Sequence, residues 1–173
     1  MFRSALLRLK TFQQMGAGEM TDRVLAECFA LEKASYPADE AATFDRMELR
    51  SRRASDLFAV VLRGSRVIGF ANSTLASGSL TAETMAEHDE KGNTVCLHSV
   101  VTASEERKRG IGGALVERYV ALMKAHNPPF ESIHLLSKEA LVPFYEKRGF
   151  KCLGSSHVQH GQTKWFDCEM KLK

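Results

Sequence analysis

A glycine turn in the middle of the chain, Arg107-Lys108-Arg109-Gly110-Ile111-Gly112-Gly113, constrains the fold most strongly, because it joins a strand-like run to an amphipathic helix. Val95 to Thr102 is rich in Val and Thr and reads as a strand. After the turn, Ile111, Leu115, Tyr119 and Leu122 recur at three- and four-residue spacing, the period of one helix face. The glycines therefore open a helix whose first N–H groups have no intrahelical partner. Those donors, the positive end of the helix dipole and three cationic side chains make a site suited to a diphosphate. Two standard nucleotide motifs do not match. No Lys-Ser or Lys-Thr pair follows the glycines as a P-loop requires, and they stand too late in the chain for a dinucleotide-binding first turn.

From Glu131 the chain reads ESIHLLSKEALVPFYEKRGFKCLG: an apolar strand, a helix carrying Phe144 and Tyr145, a stop at Gly149 and another strand. The glycine turn between strand and helix, with Phe-Tyr and Gly-Phe downstream, resembles the GCN5-related N-acetyltransferases (GNAT). Within them, LHSVVTASEERKRGIGGALVERYV, EALVPFYEKRGF, EKASYPADEA and DCEM look like the serotonin or arylalkylamine N-acetyltransferases that lack the long vertebrate regulatory tail. The resemblance runs from Phe12 to Leu172. It implies an α/β (α+β) fold, with a mixed, mostly antiparallel sheet of about six to seven strands flanked by about four helices. It also implies a single N-acetyltransferase domain over 1–173, with acetyl-CoA as acetyl donor. By the same resemblance, the backbone of Val100, Val101 and Thr102 binds the pantetheine arm, and Arg107, Lys108, Arg109, Gly110, Ile111, Gly112 and Gly113 hold the pyrophosphate.

Composition agrees with one catalytic domain. At 173 residues, 44% hydrophobic, the chain can bury one core and is short for two. A net charge of +3, dispersed except at the glycine turn, does not point to nucleic acid. Cys28, Cys96, Cys152 and Cys168 lack metal-ligand spacing, so reduced thiols, no metal and a cytoplasmic location are expected. No apolar run reaches membrane-spanning length. Residues 1–18 hold Arg3, Arg8 and Lys10 without an acid, either a basic lead-in to a first strand or a presequence for organelle import.

The remaining elements are placed coarsely. Thr21 caps a helix to about Ser35, ended by Tyr36-Pro37. Asp39 starts a second helix with Phe44, Met47 and Leu49 as apolar contacts. Leu57 to Leu62 and Val67 to Leu75 form a hairpin about Gly64-Ser65. Ser77 to Asn93 reads as a polar insertion whose Glu83, Glu87, His88, Asp89 and Glu90 are solvated. Trp165 and Phe166, after a distinctive His157 to Trp165 segment, either line an aromatic pocket or pack in the core.

Acetyl transfer to an amine requires a proton acceptor at the nucleophile and a donor to the departing thiolate. His98, on the strand before the turn, titrates near neutrality and is the leading acceptor. In the arylalkylamine enzymes this strand carries His-x-His; here it reads Cys96-Leu97-His98. Alternation puts Cys96 on the face of His98, lining the same cleft. A thiol with a pKa of about 8.5 is a poorer base, which leaves His98 alone or with Glu32 as second acceptor. Acetylation of Cys96 itself is the less favoured route, and direct transfer in a ternary complex is expected. Tyr145 takes the proton-donor role by resemblance, although Phe144 and Tyr145 both suit a core. The expected acceptor is a small, aromatic alkylamine, with a protein N-terminus, lysine or polyamine as alternatives and a non-catalytic acyl-CoA sensor as a further one. The protein is expected to be a monomer or homodimer.

Overall fold

Strand β2 (Phe58–Arg63) explains why the sheet is covered on both sides. Its first four residues, Phe58-Ala59-Val60-Val61, are fully buried. Alternation sends Phe58 and Val60 into a cluster with Phe12, Val24, Cys28 and Met47, and Ala59 and Val61 into a second with Leu115, Tyr119 and Ile133. A run this apolar fits a strand only where helices pack on both faces.

The computed structural model describes residues 8–78 and 81–173, so the basic lead-in up to residue 7 lies outside them. Seven strands form one sheet in the order β1-β2-β3-β4-β5-β7-β6: β1 (Leu9–Thr11), β2, β3 (Arg66–Ala76), β4 (Thr94–Thr102), β5 (Ser132–Lys138), β6 (Lys151–Ser155) and β7 (Trp165–Lys171). Neighbours are antiparallel except β4 and β5, which run parallel. Six helices occur among the described residues, against about four expected: α1 (Phe12–Met15), α2 (Glu19–Ser35), α3 (Phe44–Arg53), α4 (Ala82–Ala86), α5 (Ile111–Lys124) and α6 (Val142–Glu146). The excess is short pieces, since α1, α4 and α6 have only four or five residues. Among the described residues no helix is long and apolar enough to cross a membrane.

Two helix starts differ from expectation. Gly18, at φ 137°, caps α2 ahead of Thr21, whose hydroxyl instead donates back to the Gly16 carbonyl. The second helix begins at Phe44 rather than Asp39. The chain first makes a turn in which the Glu40 and Ala41 amides both bond the Pro37 carbonyl, and Thr43 takes the cap by accepting from the Arg46 amide. The Asp39 carboxylate is engaged elsewhere, accepting from the Gln162 amide. Phe44, at 40% exposure, meets Phe29 edge-on and is not a core residue.

Helix α5 is clamped to the sheet by Tyr119, which is fully buried and donates its hydroxyl proton to the Leu57 carbonyl at 2.8 Å while its oxygen lies 2.6 Å from Ser73 Oγ. Replacing Tyr119 with Phe keeps the ring and orphans both partners, so unfolding in urea should show a stability loss of about 1–3 kcal/mol. An unchanged midpoint would mean that these bonds do not hold α5.

Candidate active site

The β4–β5 ladder runs only from Thr94 opposite Ser132 to Leu97 opposite Leu135, although both strands continue. On its other edge β4 stays paired with β3, where the register shifts between Asn72 opposite Ser99 and Ser73 opposite Leu97. His98 is therefore the extra residue of a bulge, which locally raises the twist of β4. β5 remains paired along its length with β7. The sheet thus divides into two parts, and a cavity opens between them. Its walls are Leu97 to Val100 of β4, Leu135 to Lys138 of β5, Tyr145 of α6, Trp165 of β7, the end of α2 and one side of α3.

His98 stands in this wall, half-buried, with Nε2 2.7 Å from Thr74 Oγ1. If Nε2–H donates to Thr74, Nδ1 is left as the bare acceptor. Burial, reinforced by the charges of Arg50 and Arg46, holds its pKa well below the ordinary histidine value. Glu32 is 2% exposed and shares the wall. Its Oε1 accepts from the Ala42 amide at 3.0 Å and the Ser99 hydroxyl at 3.2 Å, while its Oε2 is buried without a hydrogen bond. Burial pushes this carboxyl up despite those two bonds. Tyr145 lines the cavity, while its neighbour Phe144 packs under the Arg148 guanidinium at 3.9 Å. Burial also raises the Tyr145 phenol, keeping it protonated.

Cys96 departs from expectation. It faces the same side as His98, since its ladder partner is Thr74, but it is fully buried and forms no part of the cavity wall. Cys96 lies within the closed part of the β4–β5 ladder, opposite His134, whereas His98 lies beyond its end. Burial pushes its thiol up to about 12. Trp165 does line the cavity, donating Nε1–H to the His160 carbonyl at 2.6 Å, whereas Phe166 lies outside it.

At the far end of β4 the glycine turn has the geometry a diphosphate needs. Gly110 caps α5 in the left-handed region at φ 80°, and Lys108 precedes it at φ 59°, a rare conformation for a residue with a Cβ. The first bond of the helix runs from the Ala114 amide to the Gly110 carbonyl, leaving the amides of Ile111, Gly112 and Gly113 unclaimed by the helix. No acid stands in the first turn of α5. The expected cationic triplet is divided. Arg107 ties the turn to the Thr102 carbonyl and Ser35, and Arg109 joins Arg63 on the buried Glu106. Lys108 makes no ion pair among the described residues and remains the cation available to an anion. On β4, Val101 turns its side chain into the core, Val100 lines the cavity and its backbone bonds the Tyr36 hydroxyl. Gly113 has a packing reason of its own. A Cβ there would sit 2.0 Å from the Arg148 guanidinium, which donates to the Gly113 and Phe144 carbonyls.

Several wall residues were missed in the sequence. Arg46 and Arg50 lie one turn apart on α3, a spacing that puts both on one face, but nothing marked that face as the cavity side. Glu40, His160 and Lys138 come together only through tertiary packing. The Glu40 carboxylate meets Lys138 Nζ at 2.7 Å and the Thr163 hydroxyl, and His160 Nε2 lies 2.8 Å from the Glu40 carbonyl. These contacts pin the β6–β7 hairpin to the turn that precedes α3, beside the cavity.

A sequence model of the Acetyltransferase (GNAT) family matches residues 23–150. A curated relative, the serotonin N-acetyltransferase of Mesocricetus auratus, is 32% identical over 94 residues, 54% of this chain and 45% of the relative. The chain thus spans about half the length of the curated relatives it matches. Among solved structures, the loading GNATL domain of CurA from Lyngbya majuscula superposes with a TM-score of 0.79 at 14% identity, covering 96% of this chain and 98% of that one. Arabidopsis thaliana Naa50, in complex with the bisubstrate analogue CoA-Ac-MVNAL, gives 0.67 at 15% identity over 95% and 97%. These structures share the fold.

The close approach at Gly113 predicts a coupled pair. Gly113→Ala alone should destabilise the protein, because the Arg148 guanidinium must leave its carbonyls. In an Arg148→Ala background the same change should be neutral or stabilising by up to about 1 kcal/mol, the helix preference for Ala over Gly. Urea unfolding of the four proteins reads the coupling, and additive effects would show that Arg148 does not dictate the glycine.

Proposed function

The chain belongs to the acetyltransferase (GNAT) family, and from that premise we propose that it moves an acetyl group from acetyl-CoA to the primary amine of a small, aromatic alkylamine by direct transfer in a ternary complex. One observation carries this reading: a single cavity, at the parting of β4 and β5, has His98 and Tyr145 in its wall and the glycine turn at the far end of β4.

Bound acetyl-CoA supplies an activated acyl thioester. Lys108 and the amides of Ile111 to Gly113 hold its pyrophosphate, and the edge of β4 from Val100 to Thr102, beyond its pairing with β5, lies along the pantetheine path. His98 takes the proton that leaves the amine, with Glu32 as the second acceptor in the same wall. Tyr145 keeps its proton at working pH and gives it to the departing sulfur. Cys96 takes no part, since a buried thiol at about 12 supplies no thiolate near neutrality. The hairpin held by Glu40 closes the acceptor side, which favours a small amine over an extended polypeptide.

Thiol release from acetyl-CoA against a panel of arylalkylamines, polyamines and N-terminal peptides tests the reading. Tight cofactor binding without release for any amine would sink it. Tyr145→Phe should lower kcat by about a hundredfold, the usual worth of a positioned acid, and leave acetyl-CoA affinity within about twofold. Unchanged turnover removes its role.

The low pKa of His98 gives a pH signature. An acceptor must be neutral, and burial keeps His98 neutral below the ordinary value of about 6.5. The acid limb of kcat should therefore fall below pH 6.5 and disappear in His98→Gln. A limb centred at or above that value would rule out His98 as the acceptor.

A further inference from the structure

Arg50 and Glu32 stand in the same cavity wall, each almost wholly removed from water, at 5% and 2% exposure. Neither charge is matched. Arg50 spends one N–H on a neutral acceptor, Asn72 Oδ1 at 3.2 Å, and makes no ion pair among the described residues. A guanidinium has five such donors. Glu32 leaves Oε2 without a hydrogen bond. The two interact electrostatically but do not approach to ion-pair distance. Arg46, one turn before Arg50, adds a second guanidinium to this wall, likewise without an ion pair. The other charged pair of the cavity, Glu40 with Lys138, differs in that the two are in ion-pair contact at 2.7 Å.

Burying a charge is expensive unless something compensates it, and two unmatched opposite charges kept apart in one cavity complement a zwitterion. We propose that the acceptor carries a carboxylate besides its amine, seated on Arg50 and Arg46, with its ammonium end toward Glu32 and His98. The planar fork of a guanidinium matches a carboxylate through two parallel bonds, which selects that group. With Trp165 and Tyr36 also in the wall, the acceptor class becomes an aromatic amino acid rather than its decarboxylated amine. This rests on the transferase reading proposed above and departs from it in the acceptor, adding a carboxylate to the aromatic amine.

Phenylalanine and phenethylamine share ring and amine and differ only in the carboxylate. The chain has a single tryptophan, Trp165, whose ring lines the cavity, so its fluorescence reports binding of either compound to the CoA-saturated protein without any chemistry. Phenylalanine should bind at least about tenfold more tightly, the worth of a charge-assisted bond. Arg46→Met, an exposed position that the fold does not need, should collapse the ratio of the two affinities toward one. Equal or tighter binding of phenethylamine, no fluorescence response to either compound, or an unchanged ratio in Arg46→Met would each overturn the carboxylate seat. Initial rates separate the two readings. Acetylation of phenethylamine at least as efficient as that of phenylalanine defeats the seat and leaves the transferase reading standing. Arg46-dependent binding of phenylalanine without acetylation of any amine defeats the transferase reading and keeps the seat.

Discussion

Beyond the pairing of Leu97 with Leu135 the parallel ladder between β4 and β5 stops, and His98 is the bulged residue at that point. A bulge adds one residue to one strand and turns it more sharply than its neighbour. β5, locked to β7 as far as Lys138 opposite Trp165, cannot follow. From this mismatch come the cavity, the stretch of β4 that β5 leaves unpaired and the position of His98 in the cavity wall. The glycine turn completes the line because it is the next feature of the same strand.

The parts that surround the opening are held from outside it. Glu106 is buried between Arg63 and Arg109 and fixes the loop from β4 to α5, and Arg107 bonds the Thr102 carbonyl and Ser35, so that two of the three basic residues near the turn support the backbone. Arg148 bridges α6 to the first turn of α5 through the Gly113 and Phe144 carbonyls, which places Tyr145 relative to the glycine turn. The Glu40 contacts do the same for the hairpin bearing Trp165. Each support joins segments distant in sequence, and each uses a buried or half-buried charge with defined partners.

The strand, turn and helix from Thr94 to Lys124 were legible because their signals are local: a β-branched run, glycines and a helical period. The same holds for the helix of Tyr145, which is announced by Pro143 and ends at Glu146, three residues before the expected stop at Gly149. Cys96 shows where locality fails. Strict alternation assigned it to the cleft, and it does share a face with His98, but the bulge decides which residues of that face reach the cavity. No residue type announces a bulge between Leu97 and Ser99. Arg50, Glu40 and His160 were illegible for a different reason, since their meaning comes from partners such as Asn72 and Thr163 that only tertiary packing supplies.

Burial pushes the ionisable groups of the cavity toward neutrality in both directions: Glu32 upward, His98 downward and Arg50 down to about 10. In a wall of low polarisability each of these charges then depends on the others, and on whatever molecule enters. Arg50 supports ionisation of Glu32 and opposes protonation of His98. The protonation of His98 on β4 is thus set first by its burial and then by arginines on α3, an element that carries none of the family's signature residues. On the proposed reading, cofactor chemistry resides in the β4–α5 segment, and acceptor chemistry in the charges that α2 and α3 bring to it. The two can vary independently on one fold, which is why a likeness in the first leaves the second to be argued from its own residues.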